Sequence, residues 1–115
     1  MRKTRDSIRY AFSGIFYTLK TQRNIKIQIA IMILAFLLGY ILNISKFEWL
    51  ILLLISAMVI GMEIINTALE EVVNLVTEEY RKTAKHAKDT AAGGVLAVSI
   101  FAVVIGLIIF IPKIF

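Results

Sequence analysis

The chain has 115 residues, enough for one domain, 59% of them hydrophobic, and its mean hydropathy is +0.83. That is too apolar for a soluble domain of this size, so the composition points to an integral membrane protein. There is no cysteine, which excludes a disulfide framework and a thiol-ligated metal. The formal charge is +5, and its placement says more than its sum.

Within residues 1–26, Arg2, Lys3, Arg5, Arg9, Lys20, Arg23 and Lys26 are set against Asp6 alone. This basic end suits the anionic cytoplasmic leaflet. No aromatic-interleaved basic motif accompanies it, so no nucleic-acid partner is expected. Over residues 4–24, Ile8, Phe12, Ile15 and Leu19 repeat at helical spacing, while Arg5, Arg9, Ser13 and Lys20 lie mostly on other faces. The pattern predicts an amphipathic helix lying on the membrane surface or on its own protein. The apolar run begins late, near Ile27, without a small-residue cleavage pattern, so no cleaved signal peptide is expected.

Three uncharged apolar segments follow: Ile27–Ser45, a second that starts at Trp49, and Thr90–Pro112. Each approaches the ~20 residues that cross a bilayer, provided the second helix continues past Glu63. The first link holds Asn43, Ser45, Lys46 and Glu48, with Tyr40 and Trp49 where interfacial aromatics are expected. The second link, Glu78–Ala87, carries Glu78, Glu79, Arg81, Lys82, Lys85 and His86. The excess of positive charge predicts a cytoplasmic N-terminus and second link, with the first link and Phe115 outside. The whole chain, residues 1–115, reads as a single membrane-embedded all-α domain.

Glu63, Asn66, Glu70 and Asn74 continue the second apolar run without breaking its helical pattern. At about 100° per residue they fall within roughly an 80° arc, with Ile64, Ala68, Val72 and Leu75 opposite. Carboxylates at the edge of a span are costly unless paired, hydrated or bound to a cation, so the stripe reads as a functional site. Lys88 and Asp89 follow the basic link and complete a set of hard oxygen ligands, an amide, a cation and possible bases. His86 is the only histidine and Gly93–Gly94 fits no phosphate-binding loop, so zinc and a P-loop site are not expected. Such ligands favour magnesium. Glu63 and Glu70 are about 10 Å apart along a helix axis, too far to share one ion directly. That spacing suits a division of labour, with Glu63 taking a proton from a lipid hydroxyl and Glu70 holding magnesium on a nucleotide. Lys88 can meet phosphate as a point charge, and Asp89 can orient Lys88 or bind a ribose or metal. A helix start with a favourably placed Asp also accounts for Lys88–Asp89. Ala91–Gly94 lets helices approach closely.

Glu63-Ile-Ile-Asn66-Thr-Ala-Leu-Glu70 and Ala87-Lys88-Asp89-Thr-Ala-Ala, at their mutual spacing, resemble the small bacterial diacylglycerol kinases and undecaprenol kinases. Arg23-Asn24, Phe47-Glu48-Trp49 and the closing Gly106-Leu-Ile-Ile-Phe-Ile-Pro112-Lys113 match more loosely, and the likeness covers nearly the whole chain. The resemblance implies three transmembrane helices plus an amphipathic surface helix, assembled as a homotrimer with sites between subunits, using magnesium-ATP. It makes Glu63 the base that activates the lipid hydroxyl and Glu70 a metal ligand, with Asn66 supporting the site. Lys88 and Asp89 would contact ATP, as would Tyr10, Glu79, Tyr80 and Arg81. Gln22 stands where the family usually has a second metal-binding glutamate, and Asn74 where aspartate is common. The loosely matching features lean towards undecaprenol over diacylglycerol as acceptor. The expected setting is the bacterial cytoplasmic membrane. From the membrane glutamates alone, a small proton-coupled transporter is the competing reading.

Overall fold

A computed structural model describes residues 3–115, so Arg2 of the basic end lies outside the described residues. The described residues form four helices: α1 (Thr4–Thr21), α2 (Arg23–Leu42), α3 (Lys46–Val76) and α4 (Lys82–Ile114). Among the described residues there is no strand. The last three helices are long and apolar enough to cross a membrane, as expected.

In α1 the apolar stripe forms but is not covered by the chain itself. Ile8, Phe12 and Phe16 are each more than half exposed. An apolar face left open on a basic helix suits the membrane interface. The helix ends at Thr21, short of the expected residue 24, because Gln22 is extended (φ −108°, ψ 120°). This corner redirects the chain, places Arg23 and Asn24 in α2, and seats Ile25 fully buried in the angle.

α2 stops at Asn43, which takes the left-handed conformation (φ 55°, ψ 54°) that asparagine tolerates better than most residues. The Ile44 amide then donates to the Gly39 carbonyl at 3.1 Å, closing the helix end in Schellman fashion. A Cβ on Gly39 would stand 3.0 Å from Ile44 Cδ1 and 3.2 Å from the Trp49 ring, so a side chain there would press Ile44 and Trp49 back by a few tenths of an ångström. Ser45, at the end of the expected first span, instead caps α3. Its hydroxyl accepts from the Glu48 amide at 3.1 Å, and its own amide donates to Glu48 Oε1 at 2.9 Å.

α3 has 31 residues and runs unbroken through Glu63. At 1.5 Å per residue it is about 46 Å long, against about 30 Å of bilayer hydrocarbon, so part of it must project beyond the apolar layer. α4 starts at Lys82, eight residues before the expected Thr90. Lys82, Ala84, Lys85, Ala87 and Lys88 are good helix formers, and Lys85 pairs with Asp89 one turn on. Charge there marks the end of the apolar layer, not the end of the helix. Only residues 77–81 remain as a link.

The core sits at the end of the bundle away from the polar stripe. Ile44, Leu52, Ile109 and Phe110 are buried together, flanked by Phe36 and Trp49, whose ring centroids are 5.9 Å apart. Lys113 Nζ reaches Glu48 Oε1 at 3.1 Å and ties the end of α4 to the start of α3. The chain as a whole is thin, 51 × 39 × 20 Å, and leaves Leu34, Leu54 and Phe101 open. Apolar surface of that extent is stable only against lipid or further protein.

Candidate active site at the polar end of α3

The continuity of α3 fixes the site. Its apolar stripe, Leu52, Ile55 and Val59, is buried against the neighbouring helices, and the next positions in that register are Glu63 and Thr67. Each of the two is only 3% exposed. Packing that holds the apolar residues inward therefore carries a carboxyl group inward with them. Thr67 donates its hydroxyl to the Glu63 carbonyl at 2.9 Å, which satisfies it within the helix and leaves the Glu63 carboxyl free for other partners. The Gln28 side chain of α2 faces that carboxyl, and Glu70 is the charge that acts on it.

Asn66 lies between the two glutamates and donates a long bond of 3.5 Å to Glu70 Oε1. Its own Oδ1 is buried without a partner. Asn66 is one of the residues lining a cleft of about 520 Å³ between α3 and α4, with Met62, Leu69, His86, Thr90 and Gly94 among others. A Cβ on Gly94 would come within 2.7 Å of Met62 Cε, so the expected close approach is made there. Ala91 is buried beside it. Gly93, by contrast, faces open space.

Lys88 crosses from α4 to α3 and donates to Asn74 Oδ1 at 2.6 Å. The stripe and the cationic residue expected to serve it are therefore brought together. Asp89 does not orient Lys88: its carboxylate is taken by Lys85, one helical turn back on its own helix, where i, i+4 geometry favours the pair. Glu79, Tyr80 and Arg81 are exposed in the 77–81 link, with Arg81 3.7 Å from Glu79. Tyr10 lies on α1 with the Arg9 guanidinium 5.3 Å from its ring centre. Gln22 sits at the α1–α2 corner. Among the described residues no side-chain hydrogen bond joins Gln22 or the 79–81 link to Glu70.

The structure adds two contacts that the sequence pattern does not single out. Gln28 is the first. It is a lone amide near the start of an apolar run, a signal present in the sequence but outweighed by the glutamates. The second is Tyr17, whose phenol donates to the Glu71 carboxylate and clasps α1 to α3. The two residues are 54 positions apart, and no local pattern links them.

The hydrogen bond to Glu71, with desolvation second, holds the Tyr17 phenol above its ordinary value of 10.0. Only the neutral phenol can donate, so the clasp is complete below pH 10.0 and is lost as pH rises through the raised value. Tyr17→Phe is expected to speed amide exchange in α1 near neutral pH and to abolish any further change above pH 10. Exchange in α1 that is the same in both chains at pH 7 would show that the clasp does not hold the helix.

The donor set suits a hard cation. Glu70 offers a carboxylate and Asn66 an unpaired amide oxygen, whereas no cluster of three His, Cys, Asp or Glu exists among the described residues. Magnesium is commonly held in this way, by one or two protein oxygens with water and substrate phosphate supplying the rest.

The sequence is similar to known proteins. The family model for prokaryotic diacylglycerol kinase matches residues 9–110. An undecaprenol kinase of Bacillus subtilis is 36% identical over 104 residues, which is 90% of this chain and 85% of that protein. A diacylglycerol kinase of Synechocystis is 39% identical over 107 residues, 92% of this chain but 61% of that protein.

Proposed function

This chain belongs to the prokaryotic diacylglycerol kinase family, and from that premise we propose that it moves the terminal phosphate of magnesium-ATP to the hydroxyl of a membrane lipid. The enzyme class, lipid kinase, is common to both relatives. The observation that carries the residue-level reading is the buried Glu63, held inward on a membrane helix with Asn66 and Glu70 on the same face.

In this reading Glu63 takes the alcohol proton as the lipid oxygen attacks phosphorus. Glu70 and the Asn66 amide oxygen would hold magnesium, with Gln22 a further oxygen donor at the α1–α2 corner, and the ion would neutralise phosphate charge. Lys88 meets the phosphates, and Asp89, Tyr10, Glu79, Tyr80 and Arg81 border the nucleotide. The basic N-terminal segment and the Arg81–Lys88 stretch face the cytoplasm, where ATP is found. Three copies assemble through the open apolar faces of the thin protomer, so that the polar stripe avoids lipid.

Undecaprenol is the favoured acceptor and diacylglycerol the alternative. The lean rests on Arg23-Asn24, Glu48-Trp49 and the C-terminal segment, and on the fuller overlap with the undecaprenol kinase. Purified protein in defined bilayers, given labelled ATP and either lipid, is expected to label undecaprenol at the higher kcat/KM. Faster labelling of diacylglycerol would reverse the assignment.

A further inference from the structure

Gln28 is placed where a second hydrogen-bonding group for the alcohol is needed. It projects from α2 towards α3 and α4, five residues into the first membrane-spanning helix. Its Nε2 lies 3.5 Å from Ser99 Oγ of α4, and its side chain faces the Glu63 carboxyl of α3. One amide thus meets both other spanning helices. Its Oε1, however, is buried and accepts no hydrogen bond. In a membrane interior an acceptor without a donor is costly, and a protein retains one where something else supplies the donor.

The surroundings indicate what arrives. Gln28 and Ser99, with Asn24 and Ser56, are the polar members of the wall of a groove of about 720 Å³, which is otherwise made of apolar and small residues such as Met32, Val59, Val103 and Leu107. The groove lies between α2 and the α3–α4 pair, and Val59 is one turn before Glu63 on α3. Its mostly apolar walls suit a hydrocarbon chain, and its few polar residues suit an alcohol group.

We propose that Gln28 is the positioning residue for the acceptor alcohol: its unpaired carbonyl takes the hydroxyl hydrogen of the membrane lipid and holds the alcohol beside Glu63. This rests on the lipid-kinase reading above and assigns it a binding group for the alcohol. On transfer the hydroxyl turns from Gln28 to Glu63. The proton passes to the Glu63 carboxylate, the bond from the alcohol oxygen to the terminal phosphorus forms, and the bond from that phosphorus to the departing ADP oxygen breaks. Gln28 itself gains and loses no proton. The Ser99 hydroxyl and the Glu63 carboxyl keep the amide turned so that its carbonyl stays open.

Gln28→Met preserves length and apolar volume while removing both amide groups. It is expected to raise the KM for lipid by about 3–10-fold, the value of one neutral hydrogen bond, and to leave the KM for ATP unchanged. Gln28→Asn, which keeps the amide one methylene short, is expected to shift the lipid KM in the same direction by less. It also serves if the methionine chain fails to assemble. Unchanged lipid KM in both variants overturns the proposal while leaving the kinase reading intact. Equal rises in the KM for lipid and for ATP mark a structural effect and overturn it too. If the unmodified protein transfers phosphate to no lipid at all, the kinase reading has failed and the proposal falls with it.

Discussion

Glu63→Gln is expected to slow phosphate transfer to lipid by about 10²–10⁴-fold, the usual contribution of a general base. The substitution keeps the length and planarity of the side chain, so the buried position, only 3% exposed, remains filled. The Thr67 hydroxyl bonds to the Glu63 backbone carbonyl, not to its carboxyl, so the local helix should be undisturbed. On the proposed mechanism, what is lost is the group that accepts the alcohol proton. Because that acceptance belongs to the chemical step, kcat should fall while the KM for ATP stays nearly constant. Initial rates over an ATP series at fixed lipid fraction test this. A normal turnover in Glu63→Gln would remove the residue from the mechanism.

Glu70→Gln is expected to act elsewhere. Glu70 lies two turns further along α3, where it accepts a long bond from the Asn66 amide nitrogen, while the Asn66 amide oxygen has no partner. If these oxygens hold magnesium, removing the one charge between them weakens the ion. The magnesium concentration for half-maximal rate should rise by roughly 10–100-fold, a loss already typical when a supporting group of a metal site is removed. The KM for ATP should rise with it, because the ion and the nucleotide bind as one. A native magnesium curve in Glu70→Gln would mean that the ion is held by other groups. The two substitutions thus separate a transition-state role from a ground-state one, seven residues apart on one helix face.

Much of this arrangement could be read in the residues, and the reason is physical. A bilayer imposes length and apolarity on each span, so Ile27, Trp49 and Thr90 mark where apolar layers begin. Helical periodicity is strict, so Glu63, Asn66 and Glu70 had to share a face once α3 ran through them. What apolarity does not register is where a helix ends in water. α4 extends back to Lys82 because its charged first turns are good helix formers, and α1 ends at Thr21 because Gln22 turns extended. Long-range pairing is equally silent in a single chain. The Tyr17–Glu71 clasp joins an exposed tyrosine to a glutamate outside the stripe. Asp89 is adjacent to Lys88 in sequence, yet the helix turns it to Lys85. Gln28 shows its importance only when the groups around its amide are known.

On the proposed mechanism, a buried carboxyl on a membrane helix serves the phosphorylation of a lipid. The most direct measurement follows the labelled terminal phosphate of ATP in liposomes containing undecaprenol, with the unmodified protein and Glu63→Gln compared in parallel. Magnesium-dependent label is expected in the lipid fraction with the unmodified protein, and at most about a hundredth of that rate with the variant. Label that stays in the aqueous phase, or moves to lipid equally fast in both, would contradict it.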